Sequence, residues 1–77
     1  MNTLPQNLNG RGLRIGIVQA RFTNEIGSAM VEVARKKLIE LGVDDDDITL
    51  ATVAGALEVP LVLQNLADSE QFDALIA

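Results

Sequence analysis

Three short apolar runs, with segments of helical character between them, are the feature that most restricts what this chain can fold into. Residues 13–18 (LRIGIV), 48–53 (ITLATV) and 72–77 (FDALIA) are each short and rich in Ile, Val, Leu or Ala. They are too apolar to leave one face in water, so they read as strands buried on both sides. Between the first two, Ile26, Ala29, Met30, Val33, Ala34, Leu38 and Leu41 recur on one helical face. The other face carries Glu25, Glu32, Arg35, Lys36 and Glu40, and Glu32 stands four residues before Lys36 in the favourable order. Thr23 or Asn24 is placed to cap this helix, and Gly42 to end it in a left-handed conformation. After the break at Ala54-Gly55 a second helix runs to about Ala67, with Pro60 in its first turn, where a missing N–H is tolerated.

The order is β-α-β-α-β. Right-handed crossovers then give a parallel sheet with helices on both faces, the first half of a doubly wound α/β domain. Residues 1–10 do not fit the pattern. They are polar and contain Pro5, and they are expected to form an arm that pairs with the sheet edge of a neighbouring subunit. The third run ends among Leu75, Ile76 and Ala77 with no turn residue, so further strands are expected to follow.

Composition narrows the function classes. With 77 residues the chain has room for one domain, and a domain of this size buries only about 60% of its unfolded surface. It has no Cys, so neither a disulfide scaffold nor a thiolate metal site is available. It has no His, which removes the commonest metal ligand and general base and any Ser-His nucleophile system. A net charge of −5 argues against nucleic acid and anionic membranes as partners. No apolar run approaches the ~20 residues of a spanning helix, and residues 1–10 lack a basic signal region. A cytoplasmic location is expected.

In parallel α/β sheets ligands sit beyond the carboxyl ends of the strands. Two loops lie there. In the first, residues 19–24, Phe22 could stack on a planar ring or fold back onto the helix, and position does not decide between them. Arg21 could meet an anion, but a lone loop Arg is more often solvated. In the second, residues 54–58, Gly55 permits close approach by a ligand. Glu58 could bind hydroxyls or simply complement the helix dipole, and position alone favours the dipole role. The Asp44 to Asp47 run lacks the spacing of a Ca²⁺ loop and reads as a solvated turn. Gly10, Gly12 and Gly16 precede and enter the first strand instead of following it, unlike a dinucleotide fingerprint. A receiver domain would need carboxylates where Gln19-Ala20-Arg21 stands.

Three stretches in order and at the right spacing resemble the lumazine synthase family: RIGIVQARFTNEI (14–26), TVAGALEVPLVLQ (52–64) and FDALIA (72–77). The resemblance spans the whole chain but only the N-terminal half of the family's domain. It implies a flavodoxin-like fold and a transferase of riboflavin biosynthesis that works without a cofactor. That enzyme, 6,7-dimethyl-8-ribityllumazine synthase, condenses 5-amino-6-(D-ribitylamino)uracil with 3,4-dihydroxy-2-butanone 4-phosphate, its small-molecule substrates. By the same resemblance Phe22 stacks on the pyrimidine, while Gly55, Ala56, Leu57 and Glu58 form the segment at the ring edge and ribityl chain. The active sites lie between subunits of a homo-pentamer, which in some members builds a larger shell.

One departure is small: Ala54 stands where the family usually has Pro. A larger one is that the family's proton-donor His and phosphate-binding segment have no counterpart in these 77 residues. The chain alone is therefore expected not to turn over substrate. The alternatives are a truncated, non-catalytic assembly module and a different ligand-binding α/β module.

Overall fold

The computed structural model describes residues 1, 8–21 and 24–77, with the Asn24 side chain left aside. The first strand, β1, spans Ile15–Ala20, two residues later than the apolar run suggests. The helix α1 covers Asn24–Glu40, β2 covers Ile48–Val53, α2 covers Val59–Asp68 and β3 covers Ala74–Ile76. The strands form a parallel sheet in the order β2-β1-β3, with Ile15 beside both Ile48 and Ala74. This is the α/β half-domain that the alternation of elements predicts, in the flavodoxin-like arrangement that the resemblance implies.

β1 is central and buried because it is flanked on both edges and covered on both faces. Side chains alternate across a strand, so Ile15, Ile17 and Gln19 share one face and Gly16 and Val18 the other. The first face meets α1: Ile15, Ile17 and Val43 form a buried cluster against Val31, Leu38 and Ile48. At Gly27 a Cβ would stand 2.7 Å from the Gln19 amide nitrogen, so a bare backbone is what lets α1 approach β1 there. The second face meets Phe72 and Leu75, which lie close against Gly16. Right-handed crossovers put α2 on that side.

The end of α1 shows why the chain turns where it does. Gly42 has φ +104, and its N–H donates to the Ile39 carbonyl at 3.0 Å while that of Val43 donates to Leu38 at 3.0 Å. This pairing satisfies two terminal carbonyls and brings Val43 onto Leu38 in the core. The acidic run then coils into a 3-10 turn at Asp45–Asp47, capped by Asp44, whose carboxylate accepts from the Asp46 N–H.

Three expectations are corrected. Of the three strands expected to be buried on both sides only β1 is, while the edge strands β2 and β3 are largely exposed, Leu50 to 48%. Ile26, Ala29, Met30 and Val33 were predicted to face the core, but Ile26, Met30 and Val33 are 64%, 66% and 69% exposed and Ala29 is exposed too. The residues that reach the sheet are Gly27, Val31 and Leu38. At 100° per residue the apolar sector of α1 is wide enough for two contacts, and β1 takes only one of them. On the polar side, Glu32 pairs with Arg35 at 2.8 Å instead of with Lys36, because Arg35 also reaches Asp45 at 2.8 Å and bridges the two acids. These contacts hold the Arg35 pKa above its ordinary value, the Asp45 hydrogen bond being the largest cause.

Of the N-terminal arm, residues 2–7 lie outside the described residues. Gly10 is buried on its own chain, donating to the Leu41 carbonyl at 2.7 Å.

Candidate functional site

The three strands end together on one side of the sheet, and both candidate loops leave from there. β1 runs out through Ala20 into Arg21. The Arg21 N–H donates to the Val53 carbonyl at 2.7 Å, and its Nη1 donates to the Thr52 hydroxyl at 2.9 Å. The chain is thus fastened to β2 at Arg21, the residue just before Phe22 in the sequence. Phe22 itself lies outside the described residues.

β2 ends at the buried Val53, and the chain turns through Ala54 into Gly55. Ala56–Glu58 make a single 3-10 turn that leads directly into α2, with Pro60 in the first turn. The Glu58 N–H donates to the Gly55 carbonyl at 3.3 Å. The Glu58 carboxylate folds back so that Oε2 would lie 3.1 Å from a Cβ placed on Gly55. That oxygen is the end of an exposed, flexible side chain and the Gly55 backbone is extended at φ −146, so the turn itself does not demand glycine there.

The structure therefore brings Gly55, Ala56, Leu57 and Glu58 onto one exposed turn at the carboxyl end of β2. Leu57 is 95% exposed, so no other part of the described chain covers it. An apolar side chain held out from a tight turn offers a contact surface, and the neighbouring carboxylate offers an acceptor for hydroxyl or amide donors.

The sheet order adds a feature that sequence reading missed. The crossover from β1 passes to β2 on one side while β3 lies on the other, so the topological switch point falls between the ends of β1 and β3. A groove of about 230 Å³ opens there, lined by Gln19, Ala20, Gly27, Met30, Ile76 and their neighbours. Gln19 is buried at its wall and donates to the Ser28 hydroxyl at 3.5 Å. The link between Arg21 and Thr52 was missed as well. Only the register that places Gln19 beside Thr52 reveals it, and register is not written in either strand alone. Among the described residues no group of three or more His, Cys, Asp or Glu side chains is arranged to hold a metal. None of their helices is long and apolar enough to cross a membrane.

Comparison with known proteins matches residues 12–77 to the family described as 6,7-dimethyl-8-ribityllumazine synthase. The chain is 68% identical over all 77 residues to the protein of that name from Neisseria meningitidis serogroup C / serotype 2a, covering 49% of it. It is 66% identical to the one from Neisseria gonorrhoeae strain NCCP11945, again covering 49%. To that of Methylobacillus flagellatus it is 56% identical, covering 52%. In each case the whole of this chain is matched, and it spans about half the length of the curated relatives.

Proposed function

Since the chain belongs to the 6,7-dimethyl-8-ribityllumazine synthase family, we propose that it supplies the pyrimidine-binding half of that transferase in riboflavin biosynthesis. The observation that carries this reading is the span of the family match, which includes both loops at the carboxyl end of the sheet. The substrates are 5-amino-6-(D-ribitylamino)uracil and 3,4-dihydroxy-2-butanone 4-phosphate. Condensing two molecules rewards a surface that fixes one of them in place, because the orientational entropy is then lost on binding and not at the barrier.

In this reading Phe22 stacks on the pyrimidine ring. Gly55, Ala56 and Leu57 border the ring edge, and the exposed Glu58 carboxylate accepts hydrogen bonds from ribityl hydroxyls. The 77 residues contain no His, so the family's proposed proton donor is not among them. These residues bind and orient, and proton transfer and phosphate binding fall to other parts of the enzyme. The working assembly is a cytoplasmic homo-pentamer or larger, with residues 1–8 as an arm on a neighbouring subunit.

The test is a chimera. The chain is joined to the part of the Neisseria meningitidis serogroup C / serotype 2a relative that lies beyond the matched region, and 6,7-dimethyl-8-ribityllumazine formation is followed by absorbance. The chimera should be active, with Phe22→Ala and Glu58→Gln each raising KM for the ribitylaminouracil about ten-fold or more, the loss of about 1.4 kcal/mol of binding. A folded, assembled chimera with no activity, or one indifferent to both substitutions, would overturn the reading.

A further inference from the structure

Asn9 and Gly10 form the one Asn-Gly pair in the chain. Asn is a thermally labile residue, and a following Gly leaves it most reactive, because no side chain shields the next backbone nitrogen. The pair stands where the chain enters the domain, between residues 1–8 and β1. Both members are held there. The Gly10 N–H donates to the Leu41 carbonyl at 2.7 Å, and Asn9 Oδ1 accepts from the Arg11 N–H at 3.1 Å. Asn9 is exposed, so water reaches its side chain, while Gly10 is buried.

The packing demands glycine at position 10. A Cβ there would stand 2.8 Å from Val43 Cγ2 and 3.2 Å from the Leu41 carbonyl oxygen. Val43 belongs to the core cluster and is 3% exposed, so it has little room to yield. The close approach that seats the chain on the end of α1 therefore brings the labile pair with it.

We propose that Asn9 is a site of spontaneous deamidation, and that the folded state holds the reaction off through the hydrogen bond from Gly10 to Leu41. In the reaction the Gly10 nitrogen loses its proton to solvent and bonds to Asn9 Cγ. The Cγ–Nδ2 bond breaks, ammonia leaves and a succinimide closes. Water then opens the ring at either carbonyl, giving an aspartyl or an isoaspartyl residue at position 9. A nitrogen whose proton is bound to a carbonyl is poorly placed to lose it and to turn toward Cγ. The segment must first open off α1, a local event that does not require global unfolding.

Either product adds a carboxylate to a chain of net charge −5. The new charge stands at the C-terminal end of α1, since Asn9 Oδ1 would lie 3.7 Å from a Cβ placed on Gly42. The unpaired carbonyls of a helix end repel an anion. The isoaspartyl form also inserts a methylene into the backbone just ahead of Gly10, where the packing has no slack. It should hold Gly10 less firmly against Leu41 and Val43.

The test follows conversion at position 9 by peptide mapping and mass spectrometry at mildly alkaline pH. A synthetic peptide of residues 5–15, the chain in urea and the folded chain are compared, with circular dichroism establishing the fold. The chimera supplies the folded sample should the chain not fold alone. The peptide and the urea sample should convert, and an isoaspartyl methyltransferase should label the isoaspartyl fraction. Conversion in the folded protein should be about ten-fold slower or more, with exchange of the Gly10 amide hydrogen slowed alongside it. Asn9→Gln, whose longer side chain closes a ring poorly, should show no mass change at that position. Folded protein isolated with the isoaspartyl residue should exchange the Gly10 amide hydrogen several-fold faster than unmodified protein. An unreactive peptide would refute the site, and equal rates in peptide and folded protein would refute its protection by the fold. Slow conversion with a freely exchanging Gly10 amide would remove the hydrogen bond to Leu41 as the cause.

Discussion

The Asp73 carboxylate accepts from the Arg14 backbone N–H at 2.8 Å and from its Nε at 3.5 Å, so one side chain fastens the entry of β3 to the entry of β1. In return the Asp73 and Ala74 N–H groups both donate to the Arg14 carbonyl. The backbone hydrogen bond is the main cause that holds the Asp73 carboxyl below its ordinary pKa, and the guanidinium adds to it. A carboxyl depressed in the folded state stabilises the fold above its unfolded pKa of about 4 and stops doing so as pH falls through the folded value. Asp73→Asn keeps an oxygen acceptor and removes the charge. Its thermal midpoint should lie below that of the parent at pH 7 and converge with it on acidification below pH ~4. A gap that stays constant across that range would show that the charge is irrelevant. The effect should also shrink in high salt, since both side chains are partly exposed.

The Gly42 position predicts a backbone effect free of packing changes. At φ +104 an L side chain is strained, and no side chain or backbone atom lies closer than 3.5 Å to where its Cβ would sit. Gly42→Ala should therefore destabilise by about 1–2 kcal/mol through conformation alone. Urea unfolding should show a lower midpoint with an unchanged slope.

Alternation of element types sufficed for the β-α-β-α-β order, the parallel sheet and the left-handed stop at Gly42, because each depends on local pattern. The orientation of α1 did not follow. Its apolar residues span two sectors, and a sequence without its packing partners does not say which sector meets β1. Of the site, the turn at Gly55 to Glu58 was legible from its place after an apolar strand, but the groove at the switch point needed the strand order. Phe22 was singled out as a candidate, and the described residues stop at Arg21 on one side of it and resume at Asn24 on the other.

Gly27 sets two effects against each other. In a helix interior Ala is favoured over Gly by about 1 kcal/mol. Here the added methyl would meet the buried Gln19 amide at 2.7 Å. In the parent chain Gly27→Ala should gain nothing or lose stability, since Gln19 is held against Ser28. In a Gln19→Ala background the same change should stabilise by about 0.5–1 kcal/mol. Equal effects in both backgrounds would mean that the two residues do not constrain each other.

The last prediction concerns the clasp between Arg21 and Thr52. Thr52→Val removes the hydroxyl acceptor while keeping the shape of the side chain, and Arg21→Ala removes the donor. If the hydrogen bond serves to hold the loop that carries Phe22, either change frees that loop, and making both adds little. In the active chimera each single substitution should raise KM for the ribitylaminouracil several-fold, the loss of roughly 1 kcal/mol expected for one hydrogen bond. The double variant should match the worse single within about 0.5 kcal/mol. A merely structural bond would lower the melting temperature and leave KM unchanged, because Arg21 would still be joined to β2 by its backbone N–H to Val53. Independent, additive effects would instead assign Arg21 a direct contact with the ligand and remove its role as the anchor of the Phe22 loop.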